Sequence, residues 1–442
     1  MRKAIKKLAS TGFLHIFSSE VLNKIIVSCS GIIVVNFLSK ELYGVYSYAM
    51  NILSTFLIFS GFGASSALIQ LGSENLNDIE KKEKLAKFSY RFGMIVNFGM
   101  FFAILLFCQF FSFPIPEAKQ VLLLLSCMPL VYFTVETIQI YFRIHLYNKW
   151  FSYLSTGIAF ANSVMLILGA LSNQLTVLVG LRYVGYFLVI FATVALTHPP
   201  FLFPENLFSC GKEKRKEQEE RGELLLTKAE KKNFFSIGFV ALFNNSVSSL
   251  LYIIDGWLIG SIIADSMVLA DYHTATLIPF AMTFVPSAII TYVYPYVASH
   301  HEDIPWLKKN VTKLYGIMAV VNGVISLGLY FFAPWIFAIL FSGYTDAIPI
   351  FRVLSIGFFF SGTFRILSGN VLVMLHRLKV NSVVAVISGM LNVLLDYFWI
   401  KQYGSIGAAY ATTAIYIISG LLSTAYVAYY IYRYPSGTNE VE

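Results

Sequence analysis

Apolar side chains fill long, nearly uninterrupted runs of this 442-residue chain, and polar residues gather in short stretches between them. A helix that crosses the hydrocarbon core of a bilayer needs about 20 mostly apolar residues. Continuous runs favour helices over the strands of a β-barrel, which would alternate apolar and polar positions. The pattern therefore predicts an all-α integral membrane protein with twelve transmembrane helices. The predicted spans are 13–38, 43–71, 88–111, 118–142, 150–171, 175–196, 233–260, 270–298, 313–341, 348–376, 379–400 and 405–432.

The composition agrees with a membrane protein. Hydrophobic residues make up 57% of the chain and charged residues only 13%, whereas a soluble protein carries roughly 25% charged residues. The net charge of +8 does not indicate nucleic-acid binding, because the basic residues punctuate apolar spans and form no separate basic domain.

The basic residues also predict the orientation of the chain. With twelve spans both termini fall on one side, and that side receives most of the 32 Lys and Arg residues. The opposite side has Lys40, Lys119 and Lys401. The positive-inside rule therefore predicts that both termini are cytoplasmic.

A charged loop at 197–232 divides the spans into six plus six. It starts with Pro199 and Pro200 and then becomes rich in Lys and Glu. We expect an N-terminal six-helix lobe at 1–196, a cytoplasmic linker at 197–232 and a C-terminal six-helix lobe at 233–442. The linker is interpreted as a solvated, partly helical segment that touches anionic headgroups, with a regulatory binding site as the alternative.

The two halves form a weak internal repeat at an offset of roughly 224–230 residues. Asn162 corresponds to Asn392, and Glu136 corresponds to Arg365. Repeats of six spans are typical of secondary transporters, whose substrate site lies between the repeats. We therefore expect two lobes around a central cavity, with the first and seventh helices in its walls.

Four basic side chains stand inside or close to apolar spans, where charge is costly and marks a cavity, a pathway or a partner. They are Lys24, Arg182, Arg352 and Arg365. The planar guanidinium group can donate two hydrogen bonds to phosphate oxygens. The four residues therefore predict a cationic cavity for an anionic cargo. For Arg182 and Arg352 the alternative is that the side chain snorkels to the headgroups.

Four acidic side chains accompany them: Glu20, Glu136, Asp255 and Asp396. A buried carboxylate can bind Na⁺ or change its protonation as a cavity opens. The alternative is charge balance, because Glu20 precedes Lys24 by one helical turn and Glu136 or Asp255 could pair with Arg365. No spacing of Cys or His predicts a metal site, and we expect no cofactor, although coupling to H⁺ or Na⁺ fits the acidic set.

Three segments carry a family resemblance: NFLSKELYGVYSYA (36–49), SGYTDAIPIFRVLSIG (342–357) and YGSIGAAYATTAIY (403–416). In these segments, in its length and in its twelve-span plan, the chain resembles the polysaccharide-transporter (Wzx-type) flippases. These belong to the multidrug/oligosaccharidyl-lipid/polysaccharide (MOP) exporter superfamily. The resemblance implies alternating access and export of an undecaprenyl-pyrophosphate-linked oligosaccharide, such as an O-antigen repeat unit, across the bacterial cytoplasmic membrane. It also implies contact with membrane lipids and polysaccharide-assembly proteins, and we expect a monomer.

Two other functions stay open as alternatives. A cation-coupled multidrug antiporter of the same superfamily should have an acid-dominated cavity, whereas the basic residues at depth favour an anionic cargo. A polysaccharide polymerase or glycosyltransferase should have a sizeable outer loop or an accessible acidic cluster. The predicted outer loops are all short, so we expect a transporter and not an enzyme.

Overall fold

The structure, a computed structural model, describes residues 13–202, 226–375 and 377–433. In these ranges the chain forms helices joined by short turns, and no β-strand occurs in them. The predicted all-α class is therefore confirmed.

The chain divides into two compact units. Unit 1 comprises Met1–Leu38 and Ile52–Ser246, and unit 2 comprises Ser39–Asn51 and Val247–Glu442. The chain passes from one unit to the other three times: once in the turn that follows Leu38, and twice inside helices, after Asn51 and after Ser246. The division into lobes at 1–196 and 233–442 stays a prediction, and residues 203–225 of the linker lie outside the described ranges.

Unit 1 is built from helices of the first half of the chain and the start of one helix of the second half. They are α1 (Phe13–Phe37), the end of α2 (Lys40–Leu57), α3 (Ala64–Glu74), α4 (Ile79–Phe110), α5 (Glu117–Leu125), α6 (Met128–Ile144), α7 (Asn148–Leu171), α8 (Leu175–Thr197) and the start of α9 (Lys228–Ile262). Helix α1 packs along α7, and α7 packs along α8.

Unit 2 contains the start of α2 and the remaining helices. They are the end of α9, α10 (Ser266–Ala281), α11 (Phe284–Ser299), α12 (Ile304–Leu340), α13 (Ile348–Phe360), α14 (Ile366–Met374), α15 (Leu378–Tyr403) and α16 (Ser405–Arg433). Helix α13 packs against both α12 and α16, and α15 packs along α16. One apolar core of unit 2 includes Leu307, Met318 and Leu367, all of which are fully buried.

The helices have the length and hydropathy of membrane spans. In the described ranges nine spans qualify, or ten when the bent pair α5 and α6, at 41° to each other, counts as one. Shorter apolar helical stretches, Val21–Phe37 and Ile253–Ile262, lie at the predicted first and seventh spans. A multi-pass membrane protein is thus confirmed, while the count of twelve stays a prediction.

Several helices extend beyond the apolar runs that predicted them. Helix α4 begins at Ile79 and α12 at Ile304, each about two and a half turns before the predicted span. Lys and Glu are good helix formers, so charged loop residues continue the helix outside the hydrocarbon. In both cases an Asp side chain caps the start: Asp78 accepts from Lys81 N at 2.9 Å and Asp303 accepts from Trp306 N at 3.0 Å.

The second span, predicted as one helix at 43–71, is broken between α2 and α3. A short 3₁₀ turn, Ser60–Gly63, contains three consecutive residues with positive φ: Gly61 at 58°, Phe62 at 48° and Gly63 at 81°. A Cβ atom on Gly63 would lie 2.0 Å from the carbonyl oxygen of Gly238. Glycine is therefore required here both by the left-handed backbone and by the close approach of α9.

The internal repeat is visible in the structure of each unit. The eighth span is also broken, between α10 and α11, where Pro279 removes one backbone donor from the helix. Asn97 of α4 and Asn322 of α12 are both fully buried. These breaks, the buried Asn residues and the Asp caps all lie close to the offset that the sequence repeat predicts.

Candidate functional site

The two basic candidates in unit 1 lie in different surroundings. Lys24 on α1 has an exposed side chain. Arg182 on α8 is buried, and its Nη2 donates to the Tyr132 hydroxyl at 2.6 Å. Its guanidinium carbon lies 5.9 Å from the centre of the same ring, which packs edge-on against Tyr186. Burial of a cation among aromatic rings is stabilised by the negative faces of those rings.

The two basic candidates in unit 2 are half-buried and also contact tyrosine. Arg352 on α13 donates from Nε to the Tyr330 carbonyl oxygen at 3.3 Å, and its guanidinium carbon lies 5.4 Å from the Tyr330 ring centre. The guanidinium carbon of Arg365 lies 5.3 Å from the ring centre of Tyr416. Each of the three candidate arginines therefore stands over a tyrosine ring.

A π-helical turn, Ser361–Arg365, places Arg365 between α13 and α14. The extra residue in such a turn changes the direction of the side chains that follow, and π-turns are frequent at functional sites. The turn is held by buried contacts: Asn322 Nδ2 donates to Thr363 Oγ1 at 3.3 Å. A Cβ atom on Gly362 would lie 2.9 Å from Asn322 Nδ2. Arg365 was a candidate because it interrupts an apolar run, but apolar periodicity carries no signal for a π-turn.

Two predicted acidic residues meet in the interior of unit 2. Asp255 on α9 and Asp396 on α15 are both buried, and Asn392 Nδ2 donates to Asp396 Oδ2 and, at 3.5 Å, to Asp255 Oδ1. Thr412 Oγ1 and the Tyr272 hydroxyl both donate to Asp255 Oδ2. We refer to these five residues as the acidic cluster.

The acidic cluster places carboxylate oxygens together without a cation beside them. In the described part of the chain no Lys or Arg forms an ion pair with Asp255 or Asp396, and Asp396 Oδ1 is buried without a hydrogen-bond partner. A charge buried in low dielectric must be paired or neutralised. The arrangement can therefore take up a proton or a small hard cation such as Na⁺, which prefers oxygen ligands of this kind.

The sequence signal for the cluster was incomplete. Asp255, Asp396 and Asn392 were singled out, and the spacing of Asn392 and Asp396 puts both on one face of α15. Tyr272 and Thr412 were missed, because only packing of α10 and α16 against α9 brings their hydroxyl groups to Asp255. In the described residues no group of three or more His, Cys, Asp or Glu side chains could hold a metal ion.

The other acidic candidates lie in unit 1. The Glu20 side chain lies outside the described residues, so its pairing with Lys24 stays a prediction. Glu136 on α6 lines a cavity of about 290 Å³ within unit 1. The predicted pair of Glu136 with Arg365 also stays a prediction, since the two residues belong to different units.

An ion pair in unit 2 was not predicted. Lys40 Nζ, at the start of α2, lies 2.7 Å from Asp271 Oδ1 on α10, and Asp271 is buried. About three turns further along α2, Asn51 Nδ2 lies 2.7 Å from His273 Nε2. The sequence assigned Lys40 to an outer loop, because its neighbourhood in the fold is set by residues more than two hundred positions away.

The chain is similar to known proteins both in sequence and in structure. The family described as "Polysaccharide biosynthesis protein" matches residues 10–301. No curated protein matches the sequence. The structure is similar to "Lipid II flippase MurJ, inward closed conformation", with a TM-score of 0.69 and 17% identity over 93% of this chain and 87% of that chain.

Transporter structures are similar as well. An inward-facing "multidrug resistance MATE family transporter of the MOP superfamily" gives a TM-score of 0.61 at 12% identity, over 93% of this chain and 94% of that chain. A "MOP superfamily transporter from Pyrococcus furiosus" with a binding pocket of reverse polarity gives a TM-score of 0.55 at 13% identity, over 95% of this chain and 93% of that chain. At these identities the likeness shows a shared fold.

Proposed function

Because the chain belongs to the polysaccharide biosynthesis protein family, we propose that it is a flippase for a lipid-linked oligosaccharide. Its cargo is an undecaprenyl-pyrophosphate-linked repeat unit, such as an O-antigen unit, which moves from the cytoplasmic to the outer leaflet by alternating access. The protein acts in the bacterial cytoplasmic membrane with both termini in the cytoplasm, as a monomer, alongside polysaccharide-assembly proteins.

The family and the shared fold place the chain among flippases and transporters of the MOP superfamily. That part of the sequence resemblance is confirmed. The Wzx-type subgroup, the cargo and the direction of transport are parts of the proposal.

One observation carries the choice of cargo: three arginines in apolar helices each stand over a tyrosine ring, at 5.9, 5.4 and 5.3 Å. A tyrosine face stabilises the guanidinium without neutralising it. A guanidinium group can donate two hydrogen bonds to a phosphate. An anionic headgroup such as pyrophosphate fits these residues, whereas a cationic drug would be repelled.

The experiment replaces Arg365 by Ala in the source bacterium and measures surface glycan and intracellular lipid-linked oligosaccharide. We expect loss of surface glycan by at least about tenfold, as for a lost charge-assisted contact, together with accumulation of the lipid-linked precursor. Arg377→Ala is the matched control, because Arg377 is exposed and stands 5.1 Å from the Tyr430 ring outside the apolar helices. Normal surface glycan in membranes that contain Arg365→Ala protein would refute the assignment.

We also propose that the acidic cluster couples transport to Na⁺ or H⁺. Support comes from the burial of Asp255 and Asp396, from the five converging oxygen-bearing side chains, and from the unpartnered Oδ1 of Asp396. Cation uptake at Asp396 would remove the electrostatic cost of two buried carboxylates. The cluster lies on α9, α10, α15 and α16, so its occupancy can bias the packing of these four helices.

The multidrug antiporter remains the second candidate, because the same buried carboxylates would serve a cation-coupled antiporter. The two functions differ in their cargo. Efflux of ethidium from cells that make the protein, lost in Asp396→Asn and undisturbed by removal of polyprenyl-linked sugars, would favour the antiporter. Precursor accumulation without any change in ethidium efflux favours the flippase.

A further inference from the structure

A polar cavity of about 290 Å³ opens at the surface of unit 1, and none of the three arginines discussed above is among its lining residues. Three helices line it, each with residues at helical spacing on one face. Helix α6 contributes Glu136, Gln139, Ile140 and Arg143, α3 contributes Ser65, Ser66 and Ile69, and α7 contributes Phe151 and Ser155. The volume is at the small end of the range for ligand pockets, about 300–1,000 Å³.

The cavity is lined by hydroxyl groups that can form hydrogen bonds to a ligand. Ser65 is buried, and its Oγ has no hydrogen-bond partner within the described residues. Ser155 Oγ accepts from Asn23 Nδ2 at 2.7 Å, which leaves the Ser155 hydroxyl proton available to donate. A buried hydroxyl group without a partner is unfavourable, so Ser65 indicates a polar occupant.

The charges in the cavity balance. Glu136 and Arg143 stand two helical turns apart on the same face of α6, about 10 Å along the axis, with Gln139 between them. The carboxylate accepts hydrogen bonds, the guanidinium donates them and the amide does both. A phosphate would be repelled by Glu136 and a cation by Arg143. The lining therefore fits an uncharged ligand with many hydroxyl groups.

An apolar wall completes the cavity. Phe151 is buried, and the Arg143 guanidinium carbon lies 5.3 Å from its ring centre. Ile69 and Ile140 lie beside it in the lining. A sugar ring carries several hydroxyl groups and has one apolar face of C–H groups. Such a ring matches a pocket that offers both hydrogen-bond donors and acceptors and an aromatic wall.

We propose that this cavity is a subsite for one uncharged sugar ring of the cargo, separate from the arginines that bind its pyrophosphate. The inference rests on the proposed flippase function and deepens it. Glu136 and Gln139 accept and donate hydrogen bonds at the ring hydroxyls, Arg143 donates from one end, and Phe151 packs against the C–H face. The subsite thereby distinguishes a glycosylated lipid from a bare polyprenyl pyrophosphate.

The test measures dissociation constants for two probes with the full chain in lipid nanodiscs. One probe is the undecaprenyl-pyrophosphate-linked oligosaccharide extracted from the source bacterium, and the other is undecaprenyl pyrophosphate without sugar. We expect Gln139→Leu to weaken binding of the glycosylated lipid about tenfold, the effect of losing one or two buried hydrogen bonds. Binding of the bare lipid should not change.

Gln70→Leu is the matched control, because Gln70 is exposed on α3 and does not line the cavity. It should leave both constants as in the wild type. Equal weakening of both probes by Gln139→Leu, or no weakening of either, overturns the sugar subsite. Equal binding of the two lipids by the wild type also overturns it while the flippase function stands. Failure of the wild type to bind either lipid overturns the flippase function itself.

Discussion

Lys82 is an instructive residue because its charge is buried where two helices of unit 1 end. Its Nζ donates to the Leu76 carbonyl oxygen at 2.9 Å and to the Ile144 carbonyl oxygen at 3.3 Å. Carbonyl groups at a helix C-terminus have no intrahelical donor and form the negative end of the helix dipole. One ammonium group thus joins the turn that follows α3 to the C-terminus of α6.

We predict that Lys82→Met lowers the free energy of unfolding by roughly 1–3 kcal/mol, because it leaves two carbonyl groups without their donor. Thermal unfolding in detergent, followed by circular dichroism, measures this as a lower Tm. Lys84→Met is the control, since Lys84 pairs with the exposed Glu80 and an exposed pair contributes at most about 1 kcal/mol. Equal Tm values for the two variants would contradict the prediction.

Sequence reasoning could not separate these lysines. Lys82 and Lys84 stand in the same basic stretch, and both were assigned to a loop by their position before an apolar run. Burial of Lys82 depends on Ile144, which reaches it only through the packing of α6 on α4. Asp255 and Asp396 were easier to find, because a carboxylate inside an apolar run is anomalous without any knowledge of its neighbours.

At the scale of single elements, the broken second span shows how side chains compensate for an interrupted helix. Ser60 Oγ, at the break, donates to Asn97 Oδ1 at 3.0 Å, and Ser89 Oγ donates to the Ala64 carbonyl oxygen at 3.1 Å. A break at membrane depth is tolerated only where protein groups or water satisfy the freed backbone. The serine and asparagine side chains of α4 and the turn provide such groups.

We predict that Gly63→Ala strongly destabilises unit 1. An alanine Cβ would meet the Gly238 carbonyl oxygen at 2.0 Å, at a φ of +81° that alanine rarely adopts. The expected result is poor recovery of folded protein from the membrane, measured by fluorescence-detected size-exclusion chromatography. Gly99→Ala is the control, because nothing lies within 4 Å of its Cβ position. Equal recovery of the two variants would contradict the prediction, because the backbone at the break would then accommodate the added Cβ atom.

Apolar runs predicted where helices lie but not how they are interrupted. The run 43–71 has the hydropathy of one span. The positive φ angles of Gly61, Phe62 and Gly63 break the helix, and hydropathy contains no information on torsion angles. Two glycines flanking one residue inside an apolar run are the sequence signal that was available. The π-turn at Ser361–Arg365 has no comparable marker apart from Gly362.

For the whole molecule, the cation coupling proposed above would act through the acidic cluster. It joins helices from the first and last parts of unit 2, since Asp255 lies on α9 and Thr412 on α16. A cation bound only in one conformation shifts the population toward that conformation by its differential affinity.

We predict that Na⁺, compared with K⁺ at the same ionic strength and pH, raises the Tm of the purified protein, because a ligand that binds the folded state stabilises it. Asp396→Asn should abolish the difference and reduce flipping of lipid-linked oligosaccharide in proteoliposomes by at least about tenfold. Asp346→Asn is the control, as its side chain is 83% exposed. A dependence of flipping on pH, but not on Na⁺, that Asp396→Asn removes would assign coupling to H⁺. Wild-type cation response in Asp396→Asn would refute coupling at this cluster.

The membrane class, the helical fold and the superfamily followed from the sequence, because hydropathy over twenty residues and the three short segments that carry the family resemblance are local properties. The grouping of Asp255 with Tyr272 and Thr412, and of Glu136 with Phe151 and Ser155, did not follow. Each group joins side chains from three or more helices, and one sequence gives no measure of which helix faces meet.

The segment Ser39–Asn51 belongs to unit 2 although it lies near the N-terminal end of the sequence. If the gene were cut at the linker and the C-terminal fragment synthesised alone, Asp271 would lose the ammonium group of Lys40 and His273 would lose Asn51. The fragment would therefore contain an incomplete bundle with a bare carboxylate in its interior. Reassembly would require coexpression with the N-terminal fragment, so the two gene halves are not interchangeable modules.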